Sequence, residues 1–233
     1  MPTVKFNTAL IVGAGAGLSA ALARVMTSEG IKVALAARST GDLEGLAKEI
    51  AAPTFACDAS KRADVEKLFA GLDGSFGAPE IVIYNPSYRT RGPIAELDPT
   101  EVEKALMISA FGGFLVGQQA VKRMLPKKHG CIVFTGASAS VKGYALSAAF
   151  AMGKFALRGL AQSMSRELHP KGIHVAHVII DGGIKSERRP EPPGKTASLL
   201  NPTSIAASYL HLIHQPHSAW STELELRPWV ETF

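Results

Sequence analysis

The sequence predicts an α/β fold: a doubly wound parallel sheet of about seven strands with helices on both faces. Three observations predict it. Strand-like and helix-like segments alternate from end to end. Gly30, Gly74, Gly77, Gly130 and Gly172 punctuate the joins. The first apolar, β-favouring run breaks at a glycine turn and continues as a small-residue amphipathic helix, the start of a βα unit. Repeated units of this size wind right-handed and cover both faces of the sheet. A chain of 233 residues suits one such domain, spanning 1–233.

In order, strands are predicted at Thr8–Val12, Lys32–Ala36, Thr54–Ala56, Glu80–Tyr84, Cys131–Thr135, His174–Ile180 and Thr222–Leu226. Helices are predicted at Gly17–Ser28, Asp42–Ala51, Arg62–Leu72, Pro99–Leu125, Phe150–Leu168 and Pro202–Leu212. The segment 181–201 carries Pro190, Pro192, Pro193, Gly194 and several charges, which neither a helix nor a strand tolerates. A loop this long beside a compact sheet reads as a mobile, substrate-side lid.

Composition narrows the function. Hydrophobic residues are 46% of the chain and charged ones 19%, a globular balance. No apolar run reaches the roughly 18 residues of a membrane span. The stretch from Met1 to Thr8 is too short and polar for a secretory leader. Cys57 and Cys131 lack metal-ligand spacing and read as reduced core residues of a cytoplasmic protein. The net charge of +5 is scattered, apart from Lys122-Arg123, Lys127-Lys128 and the pair Arg188-Arg189. No dense basic patch with aromatics speaks for nucleic acid. A mildly basic protein holding a multiply charged cofactor is the simpler reading.

The cofactor signals sit where strands end, which is where such sheets bind ligands. Gly13, Gly15 and Gly17 form a turn that lets backbone N–H groups approach an anion, with Ala16 between them and Leu18 opening the helix. The positive end of that helix points at the turn, and a pyrophosphate fits there. A purely structural glycine turn is the alternative. Beyond the second strand stand Arg38 and Ser39, and the acidic residue that would hold an NAD ribose is absent. A 2′-phosphate suits Arg38 and Ser39, so NADP(H) is preferred over NAD(H); an ordinary exposed arginine is the alternative. Asp58, followed by Ala59, offers a carboxylate to an adenine amino group or an N-cap to the next helix. Asn85-Pro86-Ser87 forms a turn that would pack under the cofactor.

These residues, with a late Lys154, resemble the short-chain dehydrogenase/reductase family in order and spacing. The likeness runs from Thr8 to about Leu226 and includes Phe155-Ala156-Leu157-Arg158-Gly159-Leu160, Arg166-Glu167-Leu168 and Gly172-Ile173-His174-Val175. It implies a Rossmann-like seven-stranded sheet, a nicotinamide dinucleotide, a small-molecule substrate, and a homodimer or homotetramer. The interface would be built on Pro99–Leu125 and Phe150–Leu168, with Phe111, Phe114, Val121, Leu157, Leu160 and Met164 covered by the mate.

The family's active site uses a serine, a tyrosine, a lysine and a supporting asparagine. The lysine, one helical turn from the tyrosine, lowers the phenol pKa from about 10. Here the lysine is Lys154, and the tyrosine position holds Phe150. The serine position falls on Ala137, with Ser138 next to it, and the asparagine position falls on Ser109. Ser19 replaces the last glycine of the turn, and the family's Pro-Gly reads Asp181-Gly182, followed by Ile184 and Ser186, which could meet a carboxamide. Phenylalanine has no proton to give. Tyr144 and Ser138 are the leading substitutes, with Ser147 and Tyr88 behind them; for Tyr144 an ordinary loop tyrosine is the alternative. His174 and His177 lie within a strand and read as structural. The expected function is an NADP(H)-dependent oxidoreductase acting on a carbonyl/alcohol pair or an activated alkene with a nonstandard proton donor. The competing expectation is a weak or inactive NADP(H)-binding sensor or scaffold.

Overall fold

The computed structural model describes residues 5–231. Seven strands alternate with helices: β1 (Thr8–Val12), α1 (Leu18–Ser28), β2 (Lys32–Ala37), α2 (Glu44–Glu49), β3 (Thr54–Ala56), α3 (Arg62–Ser75), β4 (Ile81–Tyr84), α4 (Pro99–Leu106), α5 (Gly112–Met124), β5 (Gly130–Thr135), α6 (Ala148–Leu168), β6 (Ile173–Ile180), α7 (Pro202–Ile213) and β7 (Glu223–Leu226). The sheet is parallel throughout, in the order β3-β2-β1-β4-β5-β6-β7.

Two cores follow from the period-two alternation of each strand. Ala9 and Ile11 of β1 face Leu22 and Met26 of α1 and Ile205, Tyr209 and Leu212 of α7. Leu10 and Val12 face Leu68 and Phe69 of α3, Leu115 and Val116 of α5, and Leu157 of α6. Burial on both faces explains why the strands read as continuous apolar runs. The strand order reverses between β1 and β4, so their carboxyl ends open a crevice.

The predicted elements recur with shifted ends, and one differs in kind. The single helix predicted over Pro99–Leu125 is broken by a π turn at Met107–Phe111, and a 3₁₀ turn follows at Leu125–Lys127. The Tyr84 hydroxyl, at the end of β4, donates to the Ile108 carbonyl inside the π turn. A buried side chain on another element therefore satisfies a carbonyl where the helical ladder widens. The segment 181–201 holds no helix or strand; two isolated bridges, Ile184 with Leu200 and Ser186 with Arg189, fold it back toward the crevice.

The interface expectation needs correcting. Leu157 is fully buried inside the chain, and Val121, Leu160 and Met164 pack against that same core. The large apolar side chains left exposed on α5, α6 and the π turn are Phe111, Phe114, Met152 and Phe155. Among the described residues no helix is long and apolar enough to cross a membrane.

Candidate functional site

The crevice is a cleft in two communicating parts. The larger, about 1480 Å³, runs from the β1 turn past the end of β2, and Gly13, Ala16, Gly17, Arg38, Ser39, Asp58, Ala59, Asn85, Pro86 and Ser186 line it. The smaller, about 410 Å³, is lined by Leu18, Asn85, Ser138, Phe150, Lys154, Gly182 and Ile184, among others. The fold thus brings the predicted cofactor-binding residues, Lys154 and Ser138 to one cleft, and leaves Tyr144, Tyr88, Ser147 and Ser109 out of its lining.

Local chemistry fixes the glycine turn. Gly13 has φ +79°, and a Cβ there would stand 2.6 Å from the Pro86 nitrogen, so only glycine fits over the β4 turn. Gly15 and Gly17 have nothing within 4 Å of an added Cβ. No protein neighbour explains them, but a ligand lying against the turn would. The Asn85 amide donates to the Ser19 hydroxyl at 2.8 Å, and Ser19 donates to the Gly13 carbonyl at 3.0 Å. Ser19 thus pins the turn to the end of β4. Helix α1 begins without a side-chain cap and without an acid in its first turn. Its free N–H groups and positive dipole end face the cleft, and the cradle fits a pyrophosphate.

At the far end, Arg38 is exposed and makes no salt bridge among the described residues, with Ser39 and Asp42 on the same rim. Asp58 does not cap α3, whose N-cap is Lys61. It instead closes a local turn, accepting from the Ser60 hydroxyl at 2.7 Å and the Ser60 amide at 3.1 Å. Burial opposes its charge, but those bonds, then Lys61 and Arg38, hold its carboxyl below the ordinary value.

The smaller part carries the reactive groups. Lys154 is buried and donates to the Thr135 carbonyl at 2.8 Å. Burial, then the charge of Arg89, brings its pKa down to about 8. Phe150 lies one helical turn away, its ring centre 5.9 Å from the Lys154 Nζ. The Arg89 guanidinium stacks on that ring at 4.1 Å. Ser138 opens a 3₁₀ turn on the pocket wall and is half-buried. Gly182, at φ +146°, abuts Pro228. Asp181 lies outside the cleft lining and pairs with Arg227 at 3.0 Å and Lys142 at 3.5 Å.

Tyr144 is 45% exposed and lines neither part of the cleft; Lys142 stands over its ring at 5.9 Å. Of the other named substitutes, Tyr88 donates to Glu101 and Ser147 is buried, and neither lines the cleft. Ser109 is buried in the π turn with its hydroxyl unpartnered. His174 and His177 are buried, and desolvation lowers each to a pKa of about 4, so both are neutral near pH 7. Among the described residues, no group of three His, Cys, Asp or Glu converges to hold a metal.

Sequence reasoning missed Arg89, Arg189 and Ser140. Arg89 follows the end of β4 by a few residues, a position that could have marked it. Ser140 gives no local signal: its hydroxyl accepts from the Ala137 amide at 3.1 Å and pairs with the His177 Nε2 at 3.3 Å.

Residues 7–192 match the family described as short chain dehydrogenase. An uncharacterized oxidoreductase of Staphylococcus aureus strain MRSA252 is 25% identical over 237 residues, covering 98% of this chain and all of that protein. A short-chain dehydrogenase structure from Rhodopseudomonas palustris superposes with TM-score 0.83 at 33% identity, covering 97% of this chain and all of the other. A metagenomic short-chain oxidoreductase in complex with NADP superposes with TM-score 0.84 at 25% identity, over 96% of this chain and 98% of that one.

Proposed function

The chain belongs to the short-chain dehydrogenase family, and on that premise we propose that it is an NADP(H)-dependent oxidoreductase acting on a carbonyl/alcohol pair with a nonstandard proton donor. An activated alkene is the substrate variant that asks less of that donor. A dihydronicotinamide held in this cleft would supply hydride chemistry, and the chain's own residues would have to deliver one proton to the carbonyl oxygen. The observation that carries the reading is Lys154: a buried ammonium at the pocket, held by the Thr135 carbonyl, with its pKa near 8 beside a ring that has no hydroxyl. We read Phe150 as standing where the family has its tyrosine. Lys154 then donates from Nζ itself, and a pKa near working pH suits that role. The Ser138 hydroxyl, on the same wall, orients the oxygen. The β1 turn and the α1 N-terminus hold the diphosphate, and Asn85 and Pro86 fix the turn.

The deciding experiment adds NADPH and a panel of carbonyl and enone compounds, follows the nicotinamide absorbance, and runs a binding titration beside it. Oxidation of NADPH supports the reading. Tight binding with no oxidation across the panel supports a sensor or scaffold, which the oxidoreductase relatives do not favour.

Cofactor preference rests on Arg38 and Ser39, where a 2′-phosphate would find a charge-assisted partner. NADPH is expected to bind more tightly than NADH by roughly 10- to 100-fold, and Arg38→Ala to remove the difference. Equal dissociation constants in the wild type would contradict it. The NADP complex of the metagenomic relative points the same way.

Assembly as a homodimer or homotetramer is supported by the exposed cluster Phe111, Phe114, Met152 and Phe155, an apolar face that a second copy would cover. Light scattering at micromolar concentration is expected to show a multiple of 24.6 kDa; a species of that mass alone would overturn the expectation. A cytoplasmic setting agrees with two free, buried cysteines, of which burial pushes the Cys57 thiol up to about 12.

A further inference from the structure

The smaller part of the cleft is lined by three cations, Arg89, Arg189 and Lys154, and by no carboxylate. We infer that this pocket takes an anionic substrate, a small carbonyl compound bearing a carboxylate, gripped by Arg89 and Arg189 with its carbonyl toward Lys154. The inference rests on the oxidoreductase reading for the carbonyl, but not for the anion.

Three features of the pocket carry it. Among the described residues neither arginine makes a salt bridge, although carboxylates stand around the pocket: Asp181 pairs with Arg227 and Lys142, Glu101 pairs with Lys104 and Tyr88, and Glu187 and Glu231 lie at the adjoining rim without closing on either arginine. Each arginine is also held in place. The Arg89 guanidinium carbon stands over the Phe150 ring, 4.1 Å from its centre, and Arg189, from the 181–201 loop, packs over Gly183, where an added Cβ would meet its Nη1 at 3.0 Å. The cations also work against one another. Burial, with Arg91 and Arg189, pulls Arg89 below its ordinary pKa, and Arg89 in turn helps lower Lys154. Uncompensated like charges collected in one pocket favour an anion arriving there.

Spacing limits its size. Arg89 and Lys154 are measured from the same ring centre, at 4.1 and 5.9 Å, so at most about 10 Å separates them. A carboxylate on Arg89 and a carbonyl at Lys154 therefore belong to one short molecule, a 2-oxo or 3-oxo acid. The planar guanidinium grips a carboxylate through two parallel hydrogen bonds.

The test first separates binding from turnover. With the protein saturated with NADPH, so that cofactor anions fill their own places, oxamate and its neutral ethyl ester are titrated by calorimetry. Oxamate is expected to bind at least tenfold more tightly. Arg89→Met is expected to remove that advantage and Arg189→Gln to reduce it, with NADPH affinity unchanged; Arg89→Lys should restore part of it. Turnover is then compared for pyruvate and acetoacetate against their methyl esters, where the acids should lead by about 10- to 100-fold in kcat/KM. Equal binding of oxamate and its ester, an ester advantage in turnover, or an Arg89→Met loss that falls equally on acid and ester would overturn the inference. Selective oxamate binding without turnover of any carbonyl would leave the anion site standing and remove the oxidoreductase reading.

Discussion

Lys154→Met is expected to lower NADPH-dependent carbonyl reduction by about 10²–10⁴-fold, the span a positioned general acid contributes. The loss should fall mainly on kcat. Stability should move the other way. Methionine fills much of the lysine's volume in an apolar setting and removes a buried ammonium that donates to the Thr135 carbonyl. An inactive variant that melts no lower than wild type at pH 7 separates lost chemistry from lost structure. The pH profile gives a second reading. Reduction uses the protonated amine, so kcat should be flat below about pH 8 and fall tenfold per unit above it, while alcohol oxidation should rise toward the same pH. Linkage has a defined sign as well. The folded pKa near 8 lies below the ordinary 10.5, so the unfolded chain binds more protons between those values. This group therefore makes stability rise with pH across that window, and Lys154→Met should abolish its share. Wild-type kcat in Lys154→Met, or a reduction rate that does not fall above pH 8, would exclude Lys154 as the donor.

What the sequence made legible was local. The inner strands β1, β2, β4, β5 and β6 are mostly apolar runs closed by a glycine or a turn, and burial on both faces makes their pattern independent of partners, whereas the edge strands β3 and β7 are half-exposed. The β1 turn is legible because Gly13, Gly15 and Gly17 lie within one stretch. The π turn is not, because what satisfies it is the hydroxyl of Tyr84, whose place beside Ile108 exists only once β4 and α5 have packed. The same holds for Leu157, which helical spacing allows on a subunit face but which packs against Gly113 and the sheet instead. Tyr144 was plausible by its distance from Phe150 along the chain, yet it stands exposed and is not among the residues that line the pocket. The convergence of Arg89 and Arg189 is the extreme case. The two come from loops far apart in sequence, and they meet only because β4 and β6 end at the same edge of the sheet.

Phe150→Tyr tests the other half of the donor question, and its expected result is a gain. The Phe150 ring is buried, with Arg89 stacked on it and the Lys154 ammonium 5.9 Å from its centre. A phenol there would begin near pKa 10 and be drawn down by two cations, each favouring the phenolate. It would then stand as an acid closer to working pH than it is in water, with Lys154 returned to the supporting role it has in the family. Because Lys154 already donates in the wild type, reduction of a neutral ketone is expected to rise only modestly, well short of the roughly 10²-fold that a first acid contributes, and a full rise of about 10²-fold would mean that Lys154 is not the native donor. Ala137→Ser in the same chain should raise it further by adding the second hydroxyl of the family's pattern. The upper limb of the pH profile should also move, because the phenol would then set it in place of Lys154. NADPH affinity should hold, since Phe150 lines the smaller part of the cleft and is absent from the larger part that holds Arg38, Ser39 and Asp58. A fall in turnover with unchanged NADPH binding would mean that the pocket is shaped for an apolar ring beneath Arg89, so that a hydroxyl there obstructs the substrate. The native donor would then owe nothing to the family's arrangement.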